Sequence, residues 1–206
     1  FLIYWLIRFK RQFWSILFII LIGYSHLQTL VNIQQAETAK SAKFSVMSFN
    51  VRLFNVYDWI NEKDTDKKIF DYINKSNLSI VCLQEFYSPN ALPPIDYKYS
   101  HIGLQNKRTQ WRMATYSNYP IINKQTVSIQ GESKNNVCIY SDIILEQDTI
   151  RVYNVHLASN IFQKGDYQFL ETPTIEGAEN IFQRLKNSFQ SRSEQVKSIK
   201  KHISTS

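Results

Sequence analysis

Apolar and polar positions follow two different patterns along this chain, one before and one after residue 44. After it, a strand is predicted over 44–49 and a second over Ser79–Leu83. The segment between them carries apolar residues at helical spacing, at Ile69, Phe70 and Ile73. Strand, helix and strand in this order predict a βαβ unit with parallel strands.

The middle of the chain is a series of short β-type runs separated by turn residues. Hairpins are predicted at Ser117–Pro120 and at Glu146–Thr149. Toward the end, apolar residues between 181 and 203 follow one face of a helix, with acidic residues early and basic residues late, as the helix dipole favours. A βαβ start followed by hairpins and a helix predicts the α/β class, with α+β-like features and a mixed sheet.

The first 43 residues have a membrane-type pattern instead. We predict a transmembrane helix over 13–33, because this segment reaches the ~20 residues that a spanning helix needs and its first half is almost wholly apolar. Residues 1–12 are interpreted as the end of an upstream hydrophobic segment plus a basic loop, and 34–43 as a linker. A cleaved signal peptide and a buried core helix are the alternatives. The basic loop predicts a cell-membrane location with the folded domain, 44–206, on the non-cytoplasmic side.

Charge and cysteine content narrow the functional classes only slightly. The formal net charge is +7, from 24 Lys and Arg against 17 Asp and Glu. Basic residues after residue 43 are mixed with acidic ones, so the charge does not favour a nucleic-acid-binding protein. Cys82 and Cys138 lie in apolar runs and are interpreted as small buried side chains, with a disulfide as the less favoured alternative.

Three polar residues, Asn50, Glu85 and His156, each stand where a predicted strand ends. Strand ends deliver side chains into the crevice where α/β proteins gather their sites. Each residue alone has a simpler explanation, as a turn residue, a solvated carboxylate or a half-buried imidazole. Together they suit metal-assisted cleavage of a phosphate ester. A carboxylate binds Mg²⁺, an amide holds a phosphate oxygen or orients water, and an imidazole donates a proton or faces the phosphate.

Four short motifs extend this hypothesis, in the order MSFNVR (47–52), LQEF (83–86), MATYSNYPI (113–121) and YNVHL (153–157). They resemble the endonuclease/exonuclease/phosphatase superfamily, which includes DNase I-like nucleases, sphingomyelinases and inositol-phosphate phosphatases. The resemblance covers the chain from residue 44 to the end. Upstream membrane segments occur in a membrane-attached bacterial branch of that superfamily. The resemblance implies a hydrolase of phosphate ester bonds, built as part of a two-sheet, four-layer α/β sandwich and preceded by the transmembrane helix.

The resemblance also implies a role for each matching residue. Glu85 would be the principal ligand of Mg²⁺ or Mn²⁺, Asn50 would contact phosphate or a metal-bound water, and His156 would hydrogen-bond the scissile phosphate. Two further residues are candidates for supporting roles. Asn154 leaves the same strand face as His156, and Arg52 alternates with Asn50 in the same way.

The chain also departs from the pattern of this superfamily, which continues with Gly-Asp-x-Asn and ends with Asp-His. Here Gly165-Asp166 is followed by Tyr-Gln, and no Asp is followed by His. We therefore interpret 44–206 as the N-terminal part of a truncated domain, and expect negligible phosphodiesterase activity from it alone.

The expected partners are a phosphate-ester substrate (lipid, nucleotide or nucleic acid) and a membrane, and no protein partner is inferred. The alternative is a non-catalytic, degenerate, membrane-anchored domain that binds a lipid head group or a protein.

Overall fold

The computed structural model describes residues 4, 11–30, 44–87, 95–103, 111–129, 137–160 and 174–205. The chain divides into two compact units, Phe1–Ala42 and Lys43–Ser206. The division falls beside residue 44, where the sequence pattern changes. The first unit contains helix α1 (Arg11–Leu30), and the second contains all the strands that the structure describes.

Helix α1 covers most of the segment that was predicted to span a membrane. Among the described residues, no helix is both long enough and apolar enough for that. The prediction of a transmembrane helix over 13–33 is therefore not supported. The helix is 20 residues long. Residues 31–43, which hold the end of that segment and the predicted linker, lie outside the described residues, as do most of residues 1–12.

The second unit contains two β sheets. The first sheet has the strand order β1-β2-β4-β3 and the second has the order β5-β6-β7. The elements are β1 (Val46–Asn50), a short 3-10 turn (Arg52–Asn55), α2 (Thr65–Ser76), β2 (Ile80–Tyr87), β3 (Tyr99–Gly103), β4 (Trp111–Ser117), β5 (Ile121–Thr126), β6 (Val137–Leu145), β7 (Asp148–His156) and α3 (Ile175–Thr205). Strands β1 and β2 are parallel and connected through α2, which confirms the predicted βαβ unit.

Alternate residues of β2 face different layers. Val81 and Leu83 pack with Ile73 of α2 in one apolar cluster. Ile80 points the other way and packs with Ile143 of the second sheet. Because neighbouring side chains of a strand point to opposite faces, one strand fills two separate cores.

The far face of the second sheet packs on α3. Cys138 and Tyr140 of β6 form a cluster there with Ile199. The layers are therefore helix, sheet, sheet and helix, as the α/β sandwich prediction has it. Both cysteines are free and buried, and burial raises the pKa of Cys82 to about 11 and that of Cys138 to about 12. Such thiols are unreactive near neutral pH.

The two predicted hairpins have different outcomes. At Glu146–Thr149 the hairpin is confirmed, because β6 and β7 pair directly. At Ser117–Pro120 the prediction is wrong, since β4 belongs to the first sheet and β5 to the second. The turn is held to the start of β2 instead: the Asn118 side chain donates to the Leu78 carbonyl at 3.1 Å, and its backbone N–H donates to the Ser79 carbonyl at 3.0 Å. The chain therefore crosses from one sheet to the other here.

The two sheets approach each other closely along β3 and β6. A Cβ atom on Gly103 would lie 2.5 Å from the Cγ2 atom of Ile139, so only glycine fits there. Nearby, Nδ1 of His101 lies 3.0 Å from the Ser141 hydroxyl, and both side chains are buried. Burial lowers the pKa of His101, and the charge of Lys124 acts in the same direction. A neutral imidazole is therefore part of the core between the sheets.

We expect this imidazole to make the protein less stable in mild acid. The pKa of His101 is lower in the folded state, so the unfolded chain binds more protons once the pH falls below its ordinary value of about 6.5. Urea unfolding at pH 8 and pH 5.5 should show a smaller free energy of unfolding at pH 5.5. The variant His101→Gln should show a weaker pH dependence, since the other histidines are unchanged. If the free energy of unfolding depended equally on pH in the wild type and in His101→Gln, His101 would not be the source of the acid sensitivity.

Candidate functional site

A β-bulge in β2 directs the side chains of the candidate site. Pairing with β4 is regular up to Leu83 and resumes at Phe86, so that two residues oppose one. Leu83 and Phe86 both lie in the cluster that packs on α2. Gln84 and Glu85, between them, contact residues of the second sheet instead. Glu85 adopts a left-handed φ of 49°, an uncommon conformation outside glycine that bulges accommodate.

The structure brings together the three residues that were predicted to stand at strand ends, although Glu85 lies at a bulge inside β2 rather than at its end. Oε1 of Glu85 accepts a hydrogen bond of 2.9 Å from Nδ2 of Asn50, and Nε2 of His156 lies 3.3 Å from the same oxygen. Asn50 ends β1, Glu85 lies in β2 and His156 ends β7, so both sheets contribute. The side chains of Glu85 and His156 are 21% and 25% exposed, which leaves them accessible from one side.

The surroundings of Glu85 keep its carboxylate charged. The imidazole of His156 lowers the pKa of Glu85 most, with smaller contributions in the same direction from the Asn50 amide and the charge of Arg52. Burial acts against them, but the net direction is downward. Glu85 is therefore an anion at neutral pH, held by donors from two sides.

The Asn50 amide has a defined orientation. Its Oδ1 accepts a hydrogen bond of 2.9 Å from the backbone N–H of Arg52, which leaves Nδ2 directed at Glu85. The predicted alternation of Arg52 with Asn50 is wrong, because β1 ends at Asn50 and Arg52 has a left-handed φ of 45°. Its guanidinium lies 4.8 Å from the centre of the Trp59 ring, on the exposed surface.

Asn154 joins the two sheets below the site. It is fully buried, and its Oδ1 accepts a hydrogen bond of 2.7 Å from Nε2 of Gln84. Its Nδ2 donates to the backbone carbonyls of Ala114 at 2.9 Å and Leu83 at 3.2 Å. Because Asn154 is two residues before His156 on β7, both side chains leave the same face. Asn154 is thus placed to position His156 relative to Glu85.

Helix α3 holds the chain that follows His156. The backbone N–H of Ala158 donates to Oε1 of Gln195 at 2.9 Å, and Nε of Arg192 donates to the Ala158 carbonyl at 2.7 Å. Gln195 is fully buried. These contacts, two residues beyond His156, restrain the exit of β7 on the side away from the first sheet.

The buried amides of Gln84 and Gln195 were not predicted as part of the site. A weak signal was present for each. Gln84 interrupts the apolar run of β2, and Gln195 occupies the helix face that also carries Ile199. Polar residues at such positions are buried only when they have partners, and here the partners come from distant parts of the chain.

Because its side chain is negatively charged, Glu85 is suited to be one ligand of a magnesium ion. Mg²⁺ is commonly held by one or two carboxylates, with waters and substrate phosphates completing its shell. In the described parts of the chain, no three or more His, Cys, Asp and Glu side chains are grouped closely enough to hold a metal ion. A metal ion at Glu85 would therefore have no complete cage of such side chains among the described residues.

No family model matches the chain, and no curated protein matches it. Solved structures similar to it include TDP2 from Caenorhabditis elegans, at 20% identity and a TM-score of 0.47, covering 71% of this chain and 44% of that one. An endonuclease/exonuclease/phosphatase family protein from Leptotrichia buccalis matches at 13% identity and a TM-score of 0.42, covering 64% of this chain and 62% of that one. An endonuclease/exonuclease/phosphatase from Beutenbergia cavernae matches at 15% identity and a TM-score of 0.42, covering 62% of this chain and 42% of that one.

The structures similar to this chain thus include proteins of the superfamily that the sequence motifs resemble. This chain spans less than two thirds of the length of each of these three proteins.

Replacing Asn154 should destabilise the fold. Asn154→Ala would leave Gln84 and two backbone carbonyls without their buried partner, which should reduce the free energy of unfolding by about 1–3 kcal/mol. Asn154→Asp should cost more, because a carboxylate would face those carbonyls. Chemical denaturation measures both. The exposed Asn187→Ala on α3 is the control, with a change within about 0.5 kcal/mol. Losses no larger than the control would show that Asn154 does not hold the sheets together.

Proposed function

We propose that residues 44–206 carry part of the site of a metal-dependent phosphate-ester hydrolase. The observation that supports this most directly is the contact of Asn50 and His156, from two different sheets, with one oxygen of Glu85. The order of the four motifs that resemble the endonuclease/exonuclease/phosphatase superfamily agrees with it. Hydrolysis of a phosphodiester or phosphomonoester is the reaction class, and it applies to the whole protein to which these residues belong.

The donors around Glu85 are suited to a phosphate group. Nδ2 of Asn50 and Nε2 of His156 converge on a negatively charged oxygen. A phosphate oxygen is the same kind of acceptor, so these two donors would bind it and stabilise the charge that develops on it during hydrolysis. His156 would also be placed to donate a proton.

Glu85 would hold the divalent cation, Mg²⁺ or Mn²⁺. When bound, the ion would supply positive charge that offsets the charge of the phosphate. Because the pKa of Glu85 is lowered, the carboxylate would be available without deprotonation at neutral pH. A location at a cell membrane, with this domain on the non-cytoplasmic side, stays a prediction.

The role of Glu85 can be tested by binding of Mn²⁺, followed by electron paramagnetic resonance of the free ion. We expect Glu85→Gln to weaken binding about tenfold or more, a loss of about 1.4 kcal/mol, because the amide keeps the shape but removes the charge. The matched control is Glu179→Gln, an exposed acidic residue of α3. Equal affinity of the wild type and Glu85→Gln would remove Glu85 from the metal role.

Whether the residues of this chain suffice for catalysis can be tested separately by turnover. We expect the 206-residue chain to hydrolyse bis(p-nitrophenyl) phosphate negligibly in the presence of Mg²⁺ or Mn²⁺, because Glu85 is the one carboxylate at the predicted site among the residues that the structure describes. Nitrophenolate release, compared with a buffer control, measures this. Ordinary turnover by this chain would show that the residues present suffice. Binding of Mn²⁺ without turnover is the result we expect.

A further inference from the structure

A loop directly beside the candidate site exposes an unusual amount of apolar surface. In the 56–60 loop, Val56, Tyr57, Trp59 and Ile60 are 42%, 60%, 44% and 51% exposed. Single exposed apolar residues are ordinary, but four within five residues form a patch of the kind that marks an interaction surface. The patch calls for an explanation because the rest of the loop is firmly held.

The base of the 56–60 loop is anchored in the core. Leu53 is fully buried. Phe54 packs against Phe70 of α2, with ring centres 4.9 Å apart, and against Phe86 of β2, at 5.6 Å. Phe86 directly follows Glu85. The loop therefore starts from the same apolar cluster that supports the bulge of β2.

A single amide closes the 56–60 loop. Nδ2 of Asn55 donates to the Ile60 carbonyl at 2.9 Å, and the Ile60 N–H donates to Oδ1 of Asn55 at 3.1 Å. These two hydrogen bonds hold both ends of the loop together. The apolar side chains of the loop are therefore exposed by an ordered backbone conformation that these hydrogen bonds hold.

The 56–60 loop is connected to the site through Arg52. The backbone N–H of Arg52 holds the Asn50 amide, and its guanidinium lies over the Trp59 ring. The Trp59 and Tyr57 rings meet edge to face, with centres 5.2 Å apart. A continuous series of contacts thus leads from Glu85 and Asn50 to the exposed aromatic rings.

The charge around the loop favours a neutral partner. Residues 52–68 contain four acidic and four basic residues, so their net charge is zero. Two of the lysines are paired, Lys67 with Asp64 and Lys68 with Glu62. Binding to nucleic acid depends on positive charge that neutralises phosphates. Trp and Tyr side chains, in contrast, are enriched where a bilayer meets water, because their rings are apolar and their N–H and O–H groups are polar.

We propose that the 56–60 loop docks on the surface of a lipid bilayer whose head groups are zwitterionic. Its apolar side chains would enter the boundary between head groups and acyl chains. Docking there would bring the Glu85 site to the level of lipid phosphate esters. The choice of a lipid ester as substrate rests on the proposed function, whereas the docking itself does not.

A fluorescent label at one position tests the docking. Tyr57→Cys in the full chain offers an exposed thiol, while Cys82 and Cys138 are buried. An environment-sensitive fluorophore is attached there and phosphatidylcholine vesicles are added. Total binding would not be informative, because α1 also exposes apolar residues. The matched control is the same label at Tyr72→Cys, on α2, which is 58% exposed. Val56→Cys provides a second position in the loop.

We expect emission from the label at position 57 or 56 to shift to shorter wavelength and to be quenched by brominated lipids, while the label at 72 changes little. The label at 57 should respond in the same way when Glu85→Gln is added. The absence of a lipid response would contradict the docking of the loop, whereas the absence of Mn²⁺ binding would contradict the proposed function. The two failures can therefore be distinguished. The proposal is overturned if the labels at 57 and 72 behave alike. It is also overturned if the label at 57 responds to a single-stranded oligonucleotide and not to vesicles, which would assign the loop to nucleic acid.

Discussion

The bulge in β2 is the constraint on which the candidate site depends. With unbroken alternation, Glu85 would face α2 together with Leu83, and its charge would lie in an apolar layer at a large cost in free energy. Phe86 would then point between the sheets. The extra residue of the bulge exchanges the strand faces to which Glu85 and Phe86 point. Phe86 therefore joins the aromatic cluster with Phe54 and Tyr116. Glu85 in turn reaches Asn50 and His156. Core packing and site geometry thus share one local irregularity.

Gln84, the neighbour of the bulged Glu85, helps to keep the sheets in register. Like Ile80 and Cys82, it faces the second sheet by the ordinary alternation of β2, and it forms a buried hydrogen bond with Asn154. This link is one residue from Glu85 on β2 and two residues from His156 on β7. A sliding movement of one sheet over the other would break it and leave buried polar groups unpaired. The distance between Glu85 and His156 is therefore controlled from within the core.

Much of the fold could be predicted from the sequence, but the details of the site could not. Apolar periodicity indicated the βαβ unit, and the strand ends indicated Asn50, Glu85 and His156. Turn residues at Ser117–Pro120 showed that the chain changes direction, yet nothing local states which sheet the next strand joins. The bulge also lacks a sequence marker, because a glutamate occupies a left-handed position where glycine is usual. In the same way, Arg52 could not be placed by alternation once β1 had ended.

The fixed orientation of the Asn50 amide determines which chemical groups the site can accept. Its oxygen is engaged by the Arg52 N–H, so the atom that faces Glu85 is a donor. Rotation of the amide by half a turn would place its oxygen against a carboxylate and its NH₂ against an N–H, losing both hydrogen bonds. The amide therefore gives this corner of the site a fixed hydrogen-bond polarity. Toward this amide, a ligand oxygen would find a donor, whereas a ligand N–H would meet another donor.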